Sequence, residues 1–189
     1  MDDSGGPQRL KLLSYNIQAG IDTQRYRQYL TQSWKQVLPH RDRQFNLDRI
    51  AMVIHGYDVV GLQEVDSGSL RSGFVDQTEY LAKQATFPYW YKQVNRSLGK
   101  LAQNSNGLLS RLRPSEISEY KLPGLPGRGV IVCNFGGSTG LTGCIMHLAL
   151  GRRARLRQVP YIRELVADLP HGGALGDLTF GCDSQEVRL

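Results

Sequence analysis

The sequence has few cysteines, no long apolar run and no concentration of charge at either end. Its three thiols are Cys133, Cys144 and Cys182. An odd count with no C-x-x-C pair argues against a disulfide framework and against a structural zinc site, and points to free thiols in a reducing compartment. No stretch approaches the roughly 18 apolar residues of a membrane span. The opening MDDSGGPQRL is acidic and lacks an apolar segment, so it does not read as a secretory signal. The expectation is a cytoplasmic chain. Internal repeats and low-complexity segments are absent too. Basic residues number 23 and acidic ones 17, a net charge of +6. The excess is spread along the chain, which excludes a basic nucleic-acid arm.

What is present is a globular balance: 189 residues, 40% hydrophobic and 21% charged. Residues 1–9 read as a flexible lead-in with Gly5, Gly6 and Pro7 as breakers, and residues 10–189 as a single domain. LKLLSYNI (Leu10–Ile17) reads as a strand. Gly20–Arg43 is harder to assign; Tyr26, Tyr29, Leu30 and Trp34 would share one side of a helix ended by Pro39. Asn46–Gly56 has helical period at Leu47, Ile50, Ala51 and Ile54, with Asn46 as N-cap and Gly56 as left-handed C-terminal residue. DVVGLQEV (Asp58–Val65) is a short strand, so the first two strands should be parallel neighbours joined by a right-handed crossover. Gln77–Thr86 reads as a further helix. Tyr89–Val94, Asn106–Arg111, Gly129–Phe135 and Leu141–Leu148 read as strands, the last two joined as a hairpin through Gly136–Gly140. Arg152–Leu169 has helical period, with a kink or break expected at Pro160. GALGDL (Gly173–Leu178) is a last strand. The sum is mixed α/β.

Four apolar strands finish in a polar group: Asn16, Glu64, His147 and Asp177. An unpaired charge inside a sheet costs several kcal/mol, and sites in α/β folds gather at strand ends. A carboxylate and an amide oxygen suit a hard cation such as Mg²⁺ or Mn²⁺. An Asp can position or deprotonate water, and a His can donate to a developing oxyanion. The set fits metal-assisted attack of water on a phosphate ester. Taken singly, each has a plainer reading: Glu64 as the polar start of a loop, Asn16 and Asp177 as turn formers, His147 as an ordinary hydrogen-bonded histidine.

Five segments in order carry a resemblance. LLSYNIQAG resembles the first motif of the endonuclease/exonuclease/phosphatase superfamily, the group of pancreatic deoxyribonuclease, apurinic endonucleases, neutral sphingomyelinases and inositol-polyphosphate phosphatases. DVVGLQEVD resembles the second motif, NGLLSR the central strand, CIMHLALGRRARLRQVPYIRELV the "THL…R…RQ" segment, and GALGDLTFGCDS occupies the place of "GDFN". The resemblance implies a four-layer sandwich of two mixed β-sheets flanked by helices. It implies Glu64 and Asn16 at a Mg²⁺ or Mn²⁺ ion, His147 on the scissile phosphate and Asp177 on the attacking water.

Three departures accompany it. Thr179 stands where the family has Asn, and lacks the amide's donors. Met146 stands where the family has Thr before the His. The family's closing "SDH" motif has no counterpart before Leu189. The expectation is therefore a shortened member lacking its last strands, a phosphoesterase or else an impaired copy that binds phosphate compounds or a partner. The exposed sheet edge would invite a homodimer. Substrate contacts are expected from Asn106, Arg71 and Arg152. The cluster Arg152, Arg153, Arg155 and Arg157 reads equally as a phosphate-contacting edge or a solvated helix face. With Trp34, Tyr89, Trp90 and Tyr91 it allows nucleic acid as partner, although aromatics also pack cores.

Overall fold

The computed structural model describes residues 9–18, 41–97, 103–124, 126–136, 140–167 and 172–177. Residues 1–8 of the flexible lead-in and the stretch read as a helix ended by Pro39 lie outside these residues. Eight strands and three α-helices follow in the order β1 (Leu12–Asn16), α1 (Arg41–Ile54), β2 (Val59–Val65), α2 (Gln77–Gln84), β3 (Tyr89–Ser97), β4 (Gln103–Ser110), β5 (Glu116–Lys121), β6 (Gly129–Phe135), β7 (Leu141–His147), α3 (Arg152–Val166) and β8 (Gly172–Asp177). They form two four-stranded sheets, ordered β1-β2-β4-β3 and β5-β6-β7-β8. Each is mixed. β1 runs parallel to β2, and β7 parallel to β8, while the other neighbours are antiparallel. The two parallel pairs are the ones joined through a helix, as a crossover connection requires.

Strand alternation sorts the side chains into three apolar layers. Val59 and Leu108 of the first sheet meet Ile131, Cys133, Phe135 and Ile145 of the second between the sheets. Val60, Leu62, Val65 and Leu109 face outward under α1 and α2, against Leu47, Ile50, Ile54 and Leu81. Val130, Val132, Cys144 and Met146 face outward under α3, against Ile162 and Val159. The order is helices, sheet, sheet, helix. Each fully buried Leu or Ile in these layers stabilises by roughly 1.5–3 kcal/mol. Gly61 lets the sheets approach, since a Cβ there would stand 3.0 Å from Ile145 Cγ1.

Several local expectations are corrected. α1 begins at or before Arg41, so Asn46 lies inside the helix and is not its N-cap. The buried Leu47, Ile50 and Ile54 hold that face to the sheet, and the polar residues before them extend it. Gly56 does not take the left-handed conformation; Thr86 does, at φ +56°, after α2. α3 continues through Pro160, so the helix is not broken there. Arg155, Gln158 and Ile162 on its buried face tie it down on both sides of the proline, which outweighs the lost backbone bond. β5 has no counterpart in the sequence reading. It is an edge strand with no fully buried residue, so it shows no apolar run. No helix among the described residues is long and apolar enough to cross a membrane.

Candidate active site

Glu64 sits where the β2–β4 ladder breaks. Leu62 pairs with Gly107 and Val65 with Ser105, leaving two residues of β2 opposite the single Asn106. This is a bulge, which bends a strand and re-aims a side chain. Glu64 adopts φ +56° there, a conformation that costs a non-glycine residue roughly 1–2 kcal/mol. The carboxylate leaves the sheet and stays one-third exposed, with Oε1 3.7 Å from His147 Nε2. His147, the last residue of β7, is 6% exposed. The C-terminal ends of β2 and β7, from different sheets, therefore converge.

Two further strand ends join them. Asn16 closes β1 in register with Gln63, the residue before Glu64. Asn16 Oδ1 accepts from the Gln18 amide at 3.0 Å. Asp177 closes β8 in register with His147; its side chain lies outside the described residues, as does Thr179. The predicted strand-end residues Asn16, Glu64, His147 and Asp177 are thus brought to one end of the sandwich by their backbones. The carboxylate and amide oxygens on adjoining strands are hard donors that fit Mg²⁺ or Mn²⁺. No cluster of three or more His, Cys, Asp or Glu gathers among the described residues.

A polar layer supports this end of the inter-sheet space. Asn106 is buried, and its Nδ2 donates to Gly129 O at 2.9 Å and to Gln93 Oε1 at 3.4 Å. Gln93 Nε2 donates in turn to Tyr120 O at 3.1 Å and Val130 O at 3.3 Å. These amides stitch one sheet to the other. Asn106 Oδ1 is buried with no hydrogen-bond partner, an acceptor that calls for an incoming donor such as water. Gln63 is buried beside Glu64 and takes Ser14 Oγ at 3.3 Å. The sequence reading singled out Asn106 as a substrate contact, not as part of this layer, and did not mark Gln63 or Gln93, which sit inside strands that otherwise read as plain.

Two more groups were missed. Asp66, just past Glu64, is fully buried. Its Oδ1 accepts from the Gly68 amide at 3.0 Å, the Ser69 amide at 2.7 Å and Ser72 Oγ at 2.9 Å; Oδ2 accepts from Ser69 Oγ at 2.6 Å. This carboxylate builds the loop on which Arg71 stands, although the Arg71 side chain lies outside the described residues. Arg128 precedes β6 and brings a guanidinium nitrogen to 2.6 Å from His147 Nδ1. Arg152 is exposed at the start of α3, five residues beyond His147. Arg155 is not part of an open cationic edge: it donates to the carbonyls of Ala149, at 3.4 Å, and Leu150. Arg111, at the end of the NGLLSR segment, donates to four carbonyls, those of His55, Tyr57, Ala85 and Thr86, and lies over the Phe87 ring. It has a structural role.

Comparison with known proteins gives the same fold. Among solved structures, an endonuclease/exonuclease/phosphatase family protein from Leptotrichia buccalis superposes with a TM-score of 0.63 at 13% identity, covering 95% of this chain and 71% of that one. The endonuclease/exonuclease/phosphatase from Beutenbergia cavernae gives 0.60 at 21% identity, covering 73% and 43%. ANGEL2, a 2′,3′-cyclic phosphatase, gives 0.58 at 15% identity, covering 93% and 54%. The chain thus spans about two-fifths to seven-tenths of the length of these structures. No curated protein sequence matches it significantly. The sequence profile of the Endonuclease/Exonuclease/phosphatase family matches residues 13–175, from the start of β1 into β8, and with the fold and the converging strand ends in place, the chain belongs to that family.

Proposed function

We propose that the chain hydrolyses phosphate esters with an activated water and a divalent cation. The observation that carries this reading is the approach of Glu64 Oε1 to His147 Nε2, 3.7 Å apart, at the meeting of two strand ends. Family membership supports phosphoester chemistry, and one structural neighbour is a 2′,3′-cyclic phosphatase. Glu64 and Asn16 would hold Mg²⁺ or Mn²⁺, which when bound supplies charge to offset the developing negative oxygen. His147, whose ring is almost fully buried, donates a hydrogen bond to a non-bridging phosphate oxygen, and the donation strengthens as that oxygen gains charge. Asp177 orients the water and takes its proton as the water oxygen bonds to phosphorus and the ester oxygen departs. Arg71 and Arg152 contact flanking phosphate, with Thr179, two residues after Asp177 in the sequence, as a hydroxyl donor. Arg152 stands in the first turn of α3, where a cation opposes the helix dipole; a phosphate on it would offset that cost. Exposed Arg153 and Arg157 on the same helix leave a nucleic acid among the substrates to test.

The test is hydrolysis of bis(p-nitrophenyl) phosphate with Mg²⁺ or Mn²⁺ and after chelation. Chelation should abolish turnover, and Glu64→Gln should lower it about 100-fold or more with unfolding unchanged. Turnover that survives both would refute the mechanism. Phosphate binding without turnover in the parent chain would favour the second reading, a family member that binds phosphate compounds or a partner.

A further inference from the structure

We propose that Arg128 is a positioning residue: it holds the buried His147 ring in the Nε2–H tautomer, with its proton directed toward Glu64 and the phosphate beside it. This rests on the phosphoesterase reading for its purpose, but not for its geometry.

The Arg128 guanidinium has five N–H donors and no acceptor. At 2.6 Å from His147 Nδ1, it can form a hydrogen bond in one way only, with Nδ1 accepting. The proton of the neutral ring is then on Nε2. The second neighbour selects the same state. Glu64 Oε1, 3.7 Å from Nε2, is an oxygen that favours a facing N–H over a facing lone pair. The alternative tautomer would set N–H against N–H on one side and lone pair against carboxylate on the other. With the ring 6% exposed, water is poorly placed to relieve either conflict, and a buried polar group left unmet is destabilising.

The backbone explains how Arg128 reaches that place. Val130 pairs with Met146 in the β6–β7 hairpin, so the chain just before β6 runs beside the end of β7. Gly127 takes φ +99°, and Leu122 N donates to Arg128 O at 3.0 Å. A left-handed glycine and a backbone bond thus fix the residue on either side of its Cα. Arg128 acts through His147, in contrast with Glu64, which faces the reacting groups in the proposed mechanism.

The experiment is long-range ¹H–¹⁵N correlation of the imidazoles in the metal-free chain at pH 8.5. The His147 signals are assigned by their loss in His147→Gln. The parent should show a pyrrole-type Nε2 and a pyridine-type Nδ1. Arg128→Ala should draw the two nitrogen shifts together, as the tautomers mix, and Arg128→Lys should largely restore the separation. Arg128→Gln, which keeps an amide donor, serves if the alanine variant unfolds. A pyrrole-type Nδ1 in the parent, or unchanged shifts in a folded Arg128→Ala, overturns the proposal. In turnover assays Arg128→Ala should lower kcat at least 10-fold with KM nearly constant. A raised KM at constant kcat would make Arg128 a substrate ligand instead and also overturn it. An inactive parent with the expected imidazole pattern would refute the phosphoesterase reading alone.

Discussion

Replacing Asp66 by Asn should destabilise the protein by about 2–3 kcal/mol although it changes no volume. The carboxylate is fully buried and takes four close hydrogen bonds, from the Gly68 and Ser69 amides and the Ser69 and Ser72 hydroxyls. A fifth, from the Gln103 amide to Oδ2, is long at 3.4 Å. Hydrogen bonds to an ionised acceptor contribute about 1 kcal/mol more each than neutral ones. Asn can keep the three bonds to Oδ1 as neutral bonds. Its NH₂ must replace Oδ2, so Ser69 Oγ has to turn from donor to acceptor and the Gln103 amide faces another donor. The gross loss is about 4 kcal/mol, and relief of a buried charge offsets part of it. At this chain length the net change corresponds to a fall in Tm of about 5–10 °C. Urea unfolding followed by circular dichroism measures it. Asp66→Ala, which leaves buried amides without any acceptor, should lose more than Asp66→Asn. A loss below about 1 kcal/mol for Asn, or an alanine variant as stable as the asparagine one, would refute the view that this carboxylate organises the loop behind Glu64.

Two further predictions concern stability. The amide of Thr86 donates to Lys83 O at 3.3 Å and that of Phe87 to Ala82 O at 2.8 Å, so α2 ends in the double-bonded closure that normally places glycine where Thr86 stands. Thr86→Gly should therefore raise stability by about 0.5–1 kcal/mol in thermal unfolding, the strain relieved exceeding the entropy glycine adds to the unfolded chain; a fall would show that Thr86 makes compensating contacts. Burial pushes the Cys133 thiol up to about 12 and the Cys144 thiol up to about 11. Both folded values lie above the unfolded one of 9.0, so their contribution is complete below pH 9 and declines as pH rises toward 11–12. Cys133→Ala should flatten the alkaline fall of stability by about 1–2 kcal/mol between pH 9 and 10.5, measured as a difference in slope so that the methyl-for-thiol cavity cancels; parallel slopes would contradict it.

The sequence exposes an element when burial writes a period into it. β2 is buried along nearly all of its length and α1 buries Leu47, Ile50 and Ile54, so both read directly, and the parallel pairing of β1 with β2 follows from the helix between them. β5 is a strand because it pairs with β6, yet it fully buries no residue. Its EISEYK composition reports solvent, and solvent composition is common to edge strands and loops. The ends of α1 misled for a related reason. Asn and Gly are statistical punctuation, and here Asn46 and Gly56 lie where neither cap is formed, while the left-handed closure after α2 fell to a threonine.

At the candidate site, chemistry was legible and geometry was not. Asn16, Glu64, His147 and Asp177 stand out because a polar group at the end of an apolar strand contradicts its surroundings. The bulge that aims Glu64 has no such mark, since a glutamate at φ +56° spells the same as one in a regular strand. Arg128 lay between these cases. It is nineteen residues from His147, and no helical or strand period links the two. A hairpin does: once β6 and β7 are joined through Gly136–Gly140, Phe135 meets Leu141 and Val130 meets Met146. Continuing that register sets Gly129 opposite His147 and Arg128 one step beyond. The hairpin was readable from its glycines, and its register carried a guanidinium to the imidazole. Long-range contacts in a β-rich site are thus encoded in pairing arithmetic rather than in local pattern, and that arithmetic becomes available as soon as one turn is placed.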